Sequence, residues 1–317
     1  MGFFLRKMNN YKLTAIKQVE FVLKLYYISC KQNTIMRFLY LILFVFIFIS
    51  CSSDDNESDT ESTPPVLTAS DFNPYTQGSY WIYNVDSSST DLPEMDFTST
   101  DSLYIASTSD ASYSLDANDG MGADGSMNSI LTSGSLSLTD TTLKYYGTLD
   151  LPLDIDLEQT PEITDLVLLD LEAANGAEIS SFVGTFSDTI DLQGTAVPLN
   201  ISYVLSTVKE NLYDSKMVNG TSYTNVYEGT LRFNLSVTGN ITISGFSVNI
   251  NIIEPQDILF IRYYYGAGIG LLRAESNQGF ELATEIIALI SQSGGGFDLP
   301  ASATVTGVEA LSNYMLN

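Results

Sequence analysis

Leu231-Arg232-Phe233-Asn234-Leu235-Ser236-Val237-Thr238 sets an apolar side chain at every second position and a polar one between. A period of two collects the apolar groups on one face of an extended strand, whereas a helix would scatter them around its axis. The same beat recurs along the chain. Val197, Leu199, Ile201, Tyr203 and Leu205 stand mostly opposite Asn200, Ser202 and Ser206, and Tyr113 and Leu115 alternate with Ser112, Ser114 and Asp116. Leu151, Leu153, Ile155 and Leu157 alternate with Pro152, Asp154, Asp156 and Glu158, the proline confining that run to an edge or a strand end. Phe246, Val248, Ile250 and Ile252 make a further strand, and Asn219-Gly220, Thr238-Gly239-Asn240 and Ser244-Gly245 supply turns between runs. About ten short strands at hairpin spacing, with no βαβ rhythm, predict an all-β body over 71–317: a single antiparallel β-barrel, half-barrel or sandwich. One C-terminal helix is expected, Phe280 to Ser291, where Leu282, Ile286 and Leu289 share a face before Gly294-Gly295-Gly296; it would cap or line the open side of the sheet.

Composition narrows the chemistry. The 317 residues contain no histidine and two cysteines, Cys30 and Cys51. That excludes histidine-based triads, histidine-containing metal centres, zinc–cysteine clusters and a disulfide-rich scaffold. Seven of the 13 basic residues but only one of the 38 acidic ones precede Cys51, so the rest of the chain carries six bases against 37 acids, a net of −31. Such a body has no basic stripe with which to displace phosphate counterions, and no nucleic-acid partner is expected.

Phe38 to Ile49 reads FLYLILFVFIFI, directly behind Met36-Arg37 and directly before Ser50-Cys51. Twelve uncharged residues fall short of the roughly 20 that span a bilayer but suit the core of a signal peptide over 36–50. Residues 1–35 are too long for the basic leader of such a signal, so translation is expected from Met36, with the first 35 residues untranslated or a leader extension. Residues 51–70, with Ser52-Ser53-Asp54-Asp55-Asn56-Glu57 and the Pro64-Pro65 step, read as an acidic, extended tether.

Phe48-Ile49-Ser50-Cys51 resembles the lipobox of bacterial lipoproteins, and Ser52, Ser53, Asp54 and Asp55 resemble the acidic export signal of bacteroidete-type surface lipoproteins. The body resembles a group of such lipoproteins of unassigned activity in three segments: Gly78-Ser79-Tyr80-Trp81-Ile82-Tyr83, Asn219-Gly220-Thr221-Ser222-Tyr223, and Tyr264-Tyr265-Gly266-Ala267-Gly268-Ile269-Gly270-Leu271. The resemblance implies cleavage before Cys51, acylation of its thiol, handling by the lipoprotein-processing and sorting machinery, and an outer-membrane position exposed at the cell surface. Two or three acyl chains hold a soluble domain on a membrane where one would not. It also implies a shape like the half-barrels of LolA-type lipoprotein carriers, and it transfers no functional residue. Asp-Ser/Thr patterns at Ser102, Thr141 and Thr189 resemble O-glycosylation sites of exported bacteroidete-type proteins.

No motif names a reaction, so no catalytic residue, metal ligand or cofactor is assigned. Asp116-Ala117-Asn118-Asp119-Gly120 with Asp124-Gly125 has the look of a calcium loop, but the glycine holds the fifth position and the bidentate glutamate is missing. Gly266 to Leu271 departs from the dinucleotide fingerprint at its third glycine and reads as a tight turn. Paired carboxylates could hydrolyse glycosides without histidine, yet Asp154, Asp156, Glu158, Asp170 and Glu172 read as polar faces of strands or loops. The aromatics Trp81, Tyr83, Tyr263, Tyr264 and Tyr265 could line a sugar- or lipid-binding cleft. The expected function is therefore a non-catalytic binding or envelope-assembly module with a lipid, glycan or protein ligand; the alternative is a glycan-degrading enzyme with paired carboxylates.

Overall fold

A computed structural model describes residues 66–109, 112–149, 162–192, 195–243, 246–293 and 300–317. Twelve antiparallel strands form one nearly closed barrel sheet in the order β6-β5-β4-β3-β2-β1-β12-β11-β10-β9-β8-β7. The first half is a meander of β1 (Tyr80–Ser89), β2 (Phe97–Thr108), β3 (Ser112–Ala117), β4 (Gly134–Leu138), β5 (Thr142–Thr148) and β6 (Glu162–Asp170). The second runs β7 (Ala177–Leu192), β8 (Thr195–Val218), β9 (Thr221–Ile243), β10 (Phe246–Gly266), β11 (Gly270–Glu281) and β12 (Ser302–Met315). Pairing of β12 with β1, from Tyr80↔Met315 to Ser89↔Val305, welds the two meanders.

The alternation that predicts strands also fixes which face lies inside, because a slip of one residue would turn every apolar group outward. Leu231, Phe233, Leu235 and Val237 are buried on β9, opposite the buried Ile201 and Leu205 of β8. Asn219 and Gly220 both have positive φ, 50° and 78°, which gives the β8–β9 hairpin its expected two-residue turn. Thr238-Gly239-Asn240, read as a turn, instead lies inside β9: a β-carbon on Gly239 would come within 2.8 Å of Ile252 Cδ1, so this glycine makes room for a neighbour. The runs at Leu151–Leu157 and Ser244-Gly245 lie outside the described residues.

Among the described residues two α-helices stand where one was expected. The C-terminal helix α2 spans Thr284–Ser293, shorter at its start than the sequence reading, because Phe280 and Glu281 still pair with Ala303 and Ser302 as the end of β11. The other, α1 (Ser126–Thr132), buries Met127, Ile130 and Leu131 in the lumen. One end of the barrel is plugged by the chain before β1. A turn of 3-10 helix, Ala69–Phe72, is fully buried at both ends, and Phe72 meets the Tyr227 ring edge-on at 6.4 Å. Ala69, assigned by the sequence reading to the stretch 51–70, lies in the core and donates its N–H to Asp140 O.

The two edges of the sheet are treated differently. The free edge of β6 is met by side chains from the barrel wall: Thr207 Oγ1 donates to Val167 O (2.6 Å), Tyr263 Oη to Leu168 O (2.6 Å) and Lys209 Nζ to Leu171 O (2.8 Å). β7 carries no such caps among the described residues.

Candidate functional site

Two acids sit in the inward phase of their strands. Asp101 shares the buried face of β2 with Leu103 and Ile105, and Glu309 that of β12 with Ala303 and Val305; their exposures are 0% and 2%. A carboxylate taken out of water needs donors in compensation. The loop after β3 and the first turn of α1 supply them. Asp101 Oδ1 accepts from Asn118 Nδ2 (3.0 Å) and the Asp124 N–H (2.9 Å), while Oδ2 accepts from the Gly125 N–H (2.9 Å) and Asn128 Nδ2 (3.0 Å). Glu309 Oε1 and Oε2 accept the N–H groups of Met127 (2.7 Å) and Asn128 (2.8 Å), which the helix itself leaves without partners. Burial nevertheless dominates and pushes the Glu309 carboxyl up to about 7, and the nearby Asp101 adds to the rise.

This arrangement explains the loop that looked like a calcium site. Asn118 and Asp119 adopt φ of 54° and 57°, which turns Asn118 back over Asp101. Asp116 is occupied by the Tyr104 hydroxyl (3.0 Å) and its neighbour's amide. The donors of the loop thus point inward to a carboxylate instead of its oxygens pointing inward to a cation. Among the described residues no group of three or more acids or cysteines converges on a metal-sized point.

Beside Glu309 the lumen keeps a cavity of about 280 Å³, open on one side, between α1 and strands β1, β11 and β12. Its polar lining includes Ser126, Ser129, Ser276, Gln278 and Glu309, with Ser87, Ser133 and the carboxylates of Asp86 and Asp124 beside them, and its apolar lining includes Leu259 and Val305. Gln278 Nε2 donates to Ser126 Oγ (2.6 Å), which donates to Ser276 Oγ (3.1 Å), so the polar wall is pre-ordered. No lysine or arginine lines it. A carboxyl that titrates near neutrality can donate one hydrogen bond and accept others, and hydroxyls do both. Such a wall suits a small neutral hydroxylated molecule.

The aromatic residues singled out in the sequence lie elsewhere. Trp81, Tyr83, Tyr263 and Tyr265 are buried at 0–2% in the core. Trp81 Nε1 donates to Ile269 O (2.6 Å) and Tyr83 Oη to Leu271 O (2.9 Å), pinning the tight turn at Gly266–Gly270 under β1. Burial drives the Tyr83, Tyr263 and Tyr265 hydroxyls far above their ordinary values, so they stay protonated. Tyr264 faces outward, where Lys216 Nζ stands 4.7 Å from its ring centre, 3.9 Å from that of Tyr213 and 2.9 Å from Glu228 Oε2. These rings form no common cleft: Trp81, Tyr83, Tyr263 and Tyr265 are packed in the closed core, and Tyr264, between the last two on its strand, points to the opposite face.

Cys51, Ser52, Ser53, Asp54 and Asp55 lie outside the described residues, as do Asp154, Asp156 and Glu158. Asp170 ends β6 and Glu172 lies in the turn that follows, where Asp170 Oδ1 accepts the Glu172 amide (2.9 Å). Ser102 is half-buried beside the fully buried Asp101, Thr141 is half-buried, and Thr189 is exposed on β7. What the sequence reading missed is the pair Asp101 and Glu309. The signal was present: each acid falls in the apolar phase of an alternating run.

The six bases of the body are all engaged. Lys144, Lys216, Arg232, Arg262 and Arg273 each face a carboxylate within 4 Å, and Lys209 holds Leu171 O. The acidic excess is therefore left uncompensated at the surface. The chain matches no protein-family profile, no curated protein and no solved structure.

Proposed function

We propose that this chain is an outer-membrane lipoprotein, held at the cell surface through acylated Cys51, whose barrel is a non-catalytic binding module for a small neutral hydroxylated ligand of the glycan class. The cavity beside Glu309 carries the ligand reading: its serine and glutamine wall offers paired donors and acceptors, its leucine and valine wall an apolar face, and it holds no base that would select an anion. Anchoring rests on the lipobox-like FISC segment.

Saturation-transfer NMR with glucose, galactose and N-acetylglucosamine tests the ligand class. Signal transfer should appear for at least one sugar and fall at least tenfold in Ser129→Leu, which fills the cavity. Transfer to none, or transfer indifferent to Ser129→Leu, would sink the cavity reading. Turnover of a glycoside that vanishes on a single Asp→Asn or Glu→Gln change would establish the enzyme instead. Labelled palmitate should enter the wild type and not Cys51→Ser.

A further inference from the structure

Phe97 begins β2 in the phase that turns inward: it pairs with the buried Ser87, and Asp101, Leu103 and Ile105, which share its phase, are buried as well. Phe97 itself is nevertheless 37% exposed, and it lines the cavity beside Glu309. The strand register shows what it faces. One inward-facing row crosses four strands as Ser276↔Gly307↔Ser87↔Phe97. The phenylalanine thus stands three strands from Ser276, roughly 14 Å along the wall at about 4.8 Å per strand. Gly307 places no side chain in the row between them, and a β-carbon there would lie 2.5 Å from Ser276 Oγ.

Met95, two residues before Phe97 on the connection from β1 to β2, lines the cavity too. That connection is braced. Asp96 Oδ1 accepts the Ser89 N–H (2.6 Å), Ser89 Oγ accepts the Leu92 N–H (3.0 Å), and the same hydroxyl donates to Thr304 O on β12 (2.7 Å). The cavity is therefore graded from the bonded Ser126, Ser276 and Gln278 at one end to Met95 and Phe97 at the other. Charge restricts the polar end. Asp86, Asp124 and Glu309 line the cavity, and no lysine or arginine does among the described residues, so a carboxylate or phosphate head would be repelled.

On the basis of the glycan reading of this cavity, we infer that its ligand is a neutral glycoside carrying an alkyl arm, with the sugar against Ser126, Ser276, Gln278 and Glu309 and the arm passing Gly307 to lie over Met95 and Phe97. A bare sugar at the polar end leaves Phe97 in water, whereas each methylene that an arm removes fully from water is worth about fourfold in affinity. A fatty acid supplies the arm but brings the charge that the polar end rejects.

The probes are the methyl and hexyl β-glycosides of glucose, galactose and N-acetylglucosamine, together with hexanol and the hexanoate anion, each titrated into the full chain by calorimetry. For at least one sugar the hexyl glycoside should bind at least tenfold more tightly than the methyl glycoside, hexanol and hexanoate, with nuclear Overhauser contacts from its chain to the Phe97 ring. The hexyl-to-methyl ratio should fall below threefold in Phe97→Ser. It should also fall severalfold in Met95→Ser, which lies outside the strands and serves if Phe97→Ser does not fold. Methyl and hexyl glycosides that bind equally, or a gain that survives in the variants, would overturn the alkyl arm and leave the glycan reading standing. Hexanol or hexanoate binding as tightly as the hexyl glycoside would overturn it as well, since the sugar would then contribute nothing. Binding of no glycoside at all would remove the glycan reading and the arm together.

Discussion

Glu309 fills the space in which a side chain on Gly125 would have to stand: a β-carbon built there overlaps the glutamate's carboxyl group. The φ of Gly125, −75°, is one that any residue adopts, so this glycine is required by contact alone. Its own N–H holds Asp101, and the two amides after Ser126 hold Glu309. A single residue without a side chain thereby lets one short segment close over two buried acids.

Gly125→Ala should be costly. Overpacking a rigid interior costs about 1–3 kcal/mol, and here it also displaces a bonded carboxylate, so a loss near or above the upper end is expected in urea unfolding. Gly122→Ala is the control. There φ is 81° with open space around the site, and a cost of about 1–2 kcal/mol from backbone strain alone is expected.

Glu309 predicts an unusual pH dependence. Its folded-state value, near 7, lies above that of an unfolded glutamate, so the native state holds a proton that the unfolded state releases. The associated stability is complete below about pH 4.3 and is lost as pH rises through about 7. At about 1.4 kcal/mol per unit the whole swing is of the order of 4 kcal/mol. Chemical denaturation between pH 5 and pH 8 should show this fall, and Glu309→Gln should flatten it while lowering stability throughout, since its amide cannot accept both main-chain N–H groups.

Glu228 should act in the opposite sense. Burial works to raise its carboxyl, but hydrogen bonds from Lys216 and Tyr213 outweigh that and hold it below the ordinary value. Its contribution is present above about pH 4.3 and is lost as pH falls through the depressed folded-state value. Glu228→Gln should therefore remove part of the acid denaturation slope below pH 4 and leave the slope between pH 5 and pH 8 intact.

Closure of β6 onto the barrel wall rests on single hydroxyls. Tyr263→Phe strands the carbonyl of Leu168 in a buried site, and Thr207→Val does the same to Val167. Each should cost about 1–3 kcal/mol, and exchange of β6 amides should accelerate more than that of β9 amides.

Native protein compared by intact mass with a recombinant copy from a host without the glycosylation pathway tests Ser102, Thr141 and Thr189 together. Any added mass should map to Thr189, the exposed member of the three, because the acid beside Ser102 is wholly buried.

Strand identity, the inward face of each strand and the β8–β9 turn were legible in the sequence, because alternation at Val197–Leu205 and Leu231–Val237 is a local property of consecutive side chains. So was the tight turn at Gly266–Gly270. The order of the strands, the weld of β12 to β1 and the capping of the β6 edge by wall side chains were not, since each depends on residues some 40 to 230 positions apart. The aromatic residues show the same divide: their types marked them as important, but Trp81, Tyr83 and Tyr263 became core pins because backbone carbonyls of distant segments came within reach of their polar tips. Alternation placed Asp101 and Glu309 inside. Only the folded chain, by bringing the amides of Asp124 to Asn128 onto them, decided that acids could remain there, because a carboxylate leaves water only where other donors take water's place.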